Sequence, residues 1–137
     1  MNEIYSDDYS FCRNFDGLNI LITGATGTIG SMVLDTILKN SQPANVSLFV
    51  RDDGSLPTQI QSMCKAPMGM GKRLHSYECD FVDPVKITAK VHQMLRGMNG
   101  KIDVIFFCHG LINFMGGIDG NLPEWDIIQK VNVRSTM

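Results

Sequence analysis

From residue 18 onward, short apolar runs alternate with longer stretches whose apolar residues recur every three or four positions. Asn19 to Thr23 is apolar without polar alternation, the pattern of a parallel strand covered on both faces. Ile29, Val33 and Ile37, widened by Leu34 and Leu38, predict a helix that packs on the sheet and ends near Lys39 and Asn40. The Ser41 to Asn45 loop leads to a second strand, Val46 to Val50. Ser55 to Cys64 predicts a short helix opened by Pro57, with Ile60, Met63 and Cys64 inward, and Ala66 to Gly71 breaks it. Arg73 to Cys79 follows as a third strand. Asp83 and Pro84 then open a helix whose buried stripe is Ile87, Val91, Met94, Leu95 and Met98, leaving His92 on the surface. Val104 to Cys108 is the fourth strand, apolar throughout and expected to be buried. After a loop marked by Gly116, Gly117 and Gly120, Pro123 starts a helix toward the C-terminus with Ile127, Ile128 and Val131 apolar.

Repeated strand, helix, strand units cross over with a right hand in nearly all known cases. The expected fold is therefore α/β, a Rossmann-type doubly wound parallel sheet in the order 3-2-1-4, truncated after about four strands. The 137 residues suit one domain, with 1–17 a lead-in that has room for disorder and 18–137 the folded part.

The composition excludes several classes. A net charge of −2 gives no long-range attraction to nucleic acid or an anionic membrane, and no apolar stretch approaches the ~20 residues that span a bilayer. Nothing at the start resembles an export signal, and Cys12, Cys64, Cys79 and Cys108 form no Cys-x-x-Cys pair. Reduced thiols in a cytoplasmic protein are expected. His75, His92 and His109 lie on separate elements without metal-ligand spacing, and no Gly-x-Ser-x-Gly turn is present.

The chemistry concentrates in Thr23-Gly24-Ala25-Thr26-Gly27-Thr28-Ile29-Gly30, a tight turn between the first strand and the first helix. In such a turn one glycine permits the reversal, one lets the backbone approach a pyrophosphate, and one lets helix and strand pack closely. The free N–H groups and the positive dipole end of the helix then face the phosphates. A dinucleotide is the expected ligand, with Thr23, Gly24, Thr26, Gly27, Thr28, Ile29 and Gly30 around it. The second strand ends in Arg51-Asp52-Asp53, somewhat further along than the ~20 residues typical between the glycines and the ribose contact. An arginine there favours a 2′-phosphate and an acid the free 2′-hydroxyl. Arg51 leans toward NADP; Asp52 on the ribose hydroxyls, and hence NAD, stays open.

From Asp16 onward these residues resemble the short-chain dehydrogenase/reductase family, whose members oxidise alcohols or reduce carbonyls with NAD(H) or NADP(H). Cys79-Asp80-Phe81-Val82-Asp83 resembles the stretch whose aspartate holds the adenine edge, which implies that role for Asp80 with Phe81 beside it. Cys108-His109-Gly110 resembles the Asn-Ala-Gly that ends the fourth strand beside the cofactor, with Cys108 and His109 replacing the asparagine and alanine. Trp125 to Val133 resembles the helix that carries the asparagine of the catalytic tetrad, which falls on Asn132. In relatives that asparagine holds a water behind the active-site lysine. The spacing Gly24-x-x-Gly27-x-x-Gly30 is seen more often in the extended branch of the family, whereas the later motifs resemble the single-domain branch.

The family's chemistry needs a tyrosine, a lysine four residues later and a serine. The tyrosines here are Tyr5, Tyr9 and Tyr77, and none has a lysine four residues on. Ser135 falls too early for the catalytic serine. The expectation is a cofactor-binding N-terminal part without the catalytic Tyr-x-x-x-Lys, inactive by itself and joined to an alcohol or carbonyl substrate only with a C-terminal half. The alternative is a non-catalytic nucleotide-binding or interaction protein that forms homo-oligomers through the open edge of its fourth strand.

Overall fold

The computed structural model describes residues 15–65, 73–110 and 122–136. The chain runs β1 (Asn19–Thr23), α1 (Thr28–Asn40), β2 (Asn45–Val50), α2 (Thr58–Cys64), β3 (Leu74–Glu78), α3 (Pro84–Gly97), β4 (Val104–Phe107) and α4 (Leu122–Asn132). Tight 3-10 turns at Asp53–Ser55 and Arg134–Thr136 follow β2 and α4. Every strand pairing is parallel, in the order β3-β2-β1-β4 expected from the alternation of elements.

Alternate residues of a strand face opposite sides of the sheet, so two cores form. On one side Ile20 and Ile22 of β1 and Val46, Leu48 and Val50 of β2 meet Leu34 and Ile37 of α1 and Leu56. On the other, Leu21, Phe49 and Cys79 meet Met94 of α3 and Met98 just after it, with Ile87, Val91 and Leu95 alongside. The α3 stripe is thus the one its periodicity predicts. Its start is fixed by Asp83, whose carboxylate accepts from the backbone N–H of Val85 at 3.0 Å, and by Pro84 in the first turn. The start of β1 is tied to β4 because the Asp103 carboxylate accepts from Asn19 N–H at 2.8 Å. That bond, helped by Lys101, holds the Asp103 carboxyl below its ordinary range.

Several expectations are corrected. Ile29 is 69% exposed, because the face of α1 that meets the sheet is Gly30, Leu34 and Ile37, one position further round. Met63 is 40% exposed; α2 is only seven residues long and turns Ile60 and Cys64 inward. The helix expected from Ser55 divides into the 3-10 turn, a buried Leu56 and then α2. Among the described residues β4 is not covered on both faces: Val104 and Phe106 pack on the α1 side, while Ile105 and Phe107 are exposed. α4 stops at Asn132 and tightens into the 3-10 turn rather than running to the terminus. His92 is exposed, as expected. The break at Ala66 to Gly71, the glycine loop before α4 and most of the lead-in lie outside the described residues. Among the described residues no helix is long and apolar enough to cross a membrane.

Candidate functional site

All four strands point the same way, so their carboxyl ends share one rim, and the strand order reverses between β1 and β4. Open α/β sheets take ligands in the crevice at such a reversal. The glycine turn sits there. Gly24 leaves β1 at φ +69°, and a Cβ on it would lie 2.7 Å from the Cys108 carbonyl oxygen and from the His109 nitrogen. A Cβ on Gly30 would run into the Gly24 carbonyl. Those two glycines are required by the protein's own packing.

Gly27 is different. At φ −80° and ψ 172° its backbone is open to any residue, and the nearest atom to an added Cβ is the Gly24 oxygen at 3.4 Å. It is the N-cap of α1, brings no capping side chain, and no acidic residue occupies the first turn. The first-turn N–H groups are therefore left to an outside acceptor, and the helix dipole favours an anion there. Thr26, Gly27, Thr28 and Ile29 are all exposed around this point. The residues present fit a phosphate group, with bare backbone at the place of closest approach.

The ends of the other strands complete the rim. After β2, Arg51 is exposed and forms no ion pair among the described residues. Asp52 instead caps the following 3-10 turn, its carboxylate accepting from Gly54 N–H at 2.8 Å. After β3, the exposed Asp80 carboxylate accepts from Val82 N–H at 3.0 Å through one oxygen. Cys79 is buried beneath it, and burial pushes both the Cys79 and Cys108 thiols above their ordinary pKa, which disfavours the reactive thiolate. Asn132, at the end of α4, lies beside Gly110: its Oδ1 is 3.7 Å from where a Gly110 Cβ would be.

Thr23 is buried and faces inward. Its hydroxyl accepts from Cys108 N–H at 3.2 Å and lies 2.6 Å from His109 Nδ1. The opposite ring nitrogen of His109, Nε2, is 3.0 Å from the Val131 carbonyl oxygen and 2.7 Å from Ser135 Oγ. The ring also stacks on Phe81 with centroids 4.2 Å apart and planes 4° from parallel. Burial holds the imidazole below its ordinary pKa, and the Val131 carbonyl opposes that only in part. Sequence reasoning missed this linkage. It placed His109 and Phe81 on the rim but could not bring Val131 and Ser135 to them, since the contact spans 22 and 26 residues. Among the described residues no cluster of three metal-ligating side chains occurs.

A sequence profile of the short chain dehydrogenase family matches residues 18–137. The chain belongs to that family. No curated protein sequence matches it. Among solved structures it is similar to a short-chain dehydrogenase from Leptospira borgpetersenii with bound NAD+, at 22% identity and a TM-score of 0.69 over 92% of this chain. It is similar also to one from Burkholderia cenocepacia in complex with NADP, at 21% identity and 0.70 over 88%. A short-chain type dehydrogenase/reductase from Mycobacterium marinum is 27% identical, at 0.67 over 88%. The chain spans only 44%, 47% and 46% of those three structures, respectively. Within the short-chain dehydrogenase family, the parallel order β3-β2-β1-β4 accounts for that shared part, and a nicotinamide dinucleotide is the ligand class of the neighbours that hold one.

Proposed function

We propose that residues 18–137 are the nucleotide-binding part of an oxidoreductase that takes NADP in preference to NAD and acts on an alcohol or carbonyl substrate. The observation that carries this is the Gly27 cap: an uncapped, acid-free helix start with open backbone at the strand-order reversal. Bound there, the nicotinamide would supply or accept the hydride. The chain's own residues bind and orient: the amides of the first α1 turn face the pyrophosphate, Asp80 the adenine edge, and Gly110 leaves room for the cofactor beside β4. Arg51 takes the 2′-phosphate as a charge-assisted contact. The engagement of Asp52 with its own 3-10 turn supports Arg51 over Asp52 as the ribose-side group. Asn132 takes the part of the family's tetrad asparagine, which holds a water in the proton relay behind the active-site lysine. No tyrosine here is followed four residues later by lysine, so this chain alone binds nucleotide without turnover. The setting is cytoplasmic.

Titration of the purified chain with NADPH and NADH, followed by nucleotide fluorescence and thermal unfolding, tests the reading. Saturable binding with NADPH favoured is expected; a cooperatively folded chain that ignores both nucleotides overturns it. A second reading is favoured by β4 standing last in the sheet order with Ile105 and Phe107 exposed on its face: a non-catalytic chain that pairs with another copy through that edge. Sedimentation at several concentrations separates the two, since only the second needs a stable dimer without nucleotide.

A further inference from the structure

His109 touches the glycine turn with its backbone and α4 with its ring. Its nitrogen and Cα lie 2.7 Å from where a Gly24 Cβ would be, so the turn rests directly on it. Its ring spans from Thr23, immediately before that turn, to Val131 near the end of α4 and Ser135 in the 3-10 turn that follows it. The hydrogen-bond senses are determined by chemistry. The Val131 carbonyl can only accept, so Nε2 carries the proton and donates to it and to Ser135 Oγ. Nδ1 then accepts the Thr23 hydroxyl proton at 2.6 Å in preference to the Phe106 carbonyl oxygen, which lies 3.4 Å from the same hydroxyl, and the Thr23 oxygen accepts in turn from Cys108 N–H. Ser135 Oγ donates to the Val131 carbonyl, so each polar atom is used with a consistent sense. The stack on Phe81 fixes the ring plane. An alanine, the residue the resemblance places here, would reach neither Thr23 nor α4.

We propose that His109 is a positioning residue that registers the last turn of α4, and with it Asn132, against the glycine turn. The part that concerns Asn132 rests on the oxidoreductase reading above; the clamp between β1 and α4 does not. A ring that merely fills space would make no directional demand on its neighbours. This one places the carbonyl of Val131, the residue next to Asn132, at hydrogen-bond distance from a fixed donor.

Hydrogen exchange of the full chain, read by peptide, tests the clamp in wild type, His109→Ala and Ser135→Ala. With one or two net hydrogen bonds lost, exchange in the α4 peptide of His109→Ala should rise about tenfold while β1 and β2 keep their protection. Free imidazole added to His109→Ala should restore part of that protection. An unchanged α4 peptide, or an equal rise across β1, β2 and α4, overturns the proposal. Should His109→Ala fail to fold, the 15N spectrum of the wild-type imidazole decides: a fixed Nε2–H tautomer is expected, and a mixture of tautomers overturns the proposal. The same wild-type sample titrated with NADPH reports on the oxidoreductase reading separately, because neither exchange nor the tautomer depends on nucleotide.

Discussion

Gly24 and Gly27 should respond in different ways to the same added methyl. For Gly24→Ala, an L-residue at φ +69° costs about 1–2 kcal/mol. The new Cβ would also sit 2.7 Å from backbone atoms of Cys108 and His109, which cannot swing aside as a side chain would. Overpacking of this kind adds about 1–3 kcal/mol, and the lower entropy of the unfolded alanine chain returns about 0.4–1 kcal/mol. A net loss of about 2–4 kcal/mol is large against the roughly 5–15 kcal/mol of an ordinary domain. Gly27→Ala meets only an ordinary contact at 3.4 Å in a backbone conformation any residue adopts. Its entropic gain is offset by alanine's poorer fit at an N-cap, about 0.5–1 kcal/mol, so its stability should equal wild type. The methyl would instead stand between the turn and a pyrophosphate, weakening NADPH by about five- to 150-fold if it costs ~1–3 kcal/mol. With NADPH at a hundred times the wild-type dissociation constant, ligand stabilisation is about 2.7 kcal/mol; a thirtyfold weaker variant keeps about 0.9 kcal/mol. Thermal unfolding with and without NADPH reads both quantities. A Gly27→Ala chain that keeps the full nucleotide shift, or that loses stability as Gly24→Ala does, refutes the assignment of Gly27 to the ligand.

Other substitutions probe the rim and the core. Arg51→Ala should weaken NADPH about tenfold or more, the worth of a hydrogen bond to a charged group, and leave NADH unchanged in the same titration. Ser47 is fully buried and its hydroxyl has no hydrogen-bond partner among the described residues, so Ser47→Ala should stabilise the chain by about 1 kcal/mol in urea unfolding. Burial lowers the His109 pKa below 6.5, so between the lowered value and 6.5 the folded chain binds fewer protons than the unfolded one. Stability should therefore rise with pH across that window and fall on acidification through it. His109→Ala should abolish the slope there while leaving the further loss below about pH 4 to which Asp103 contributes.

The fold was legible wherever one pattern acted alone. β1 needs only its unbroken apolar run, and α3 declares itself by an acidic cap, a proline and a stripe at helical spacing, so both match the expected positions closely. Errors arose where a neighbour decides. Ile29 reads as part of the α1 stripe, but the contact of Gly30 with Gly24 rotates the buried face by one residue, and only the packed turn reveals that. Ile105 and Phe107 read as buried because β4 is apolar throughout; their exposure follows from the absence of a covering element on that face among the described residues.

The site divides in the same way. Gly24, Gly27 and Gly30 are visible as a motif, yet their division of labour is not, because it depends on which Cβ would meet protein and which would meet open space. Arg51 and Asp52 are equivalent as adjacent letters; both are exposed, and the 3-10 turn distinguishes them by engaging the Asp52 carboxylate and not Arg51. His109 departs from the family pattern at a single position, and a departure in a sequence says only that something is missing. The structure supplies the physical content of the exchange: the imidazole reaches from β1 to α4 through both nitrogens, where a methyl would have stopped at the strand. His109, where the resemblance places an alanine, thus connects the glycine turn to the helix bearing Asn132.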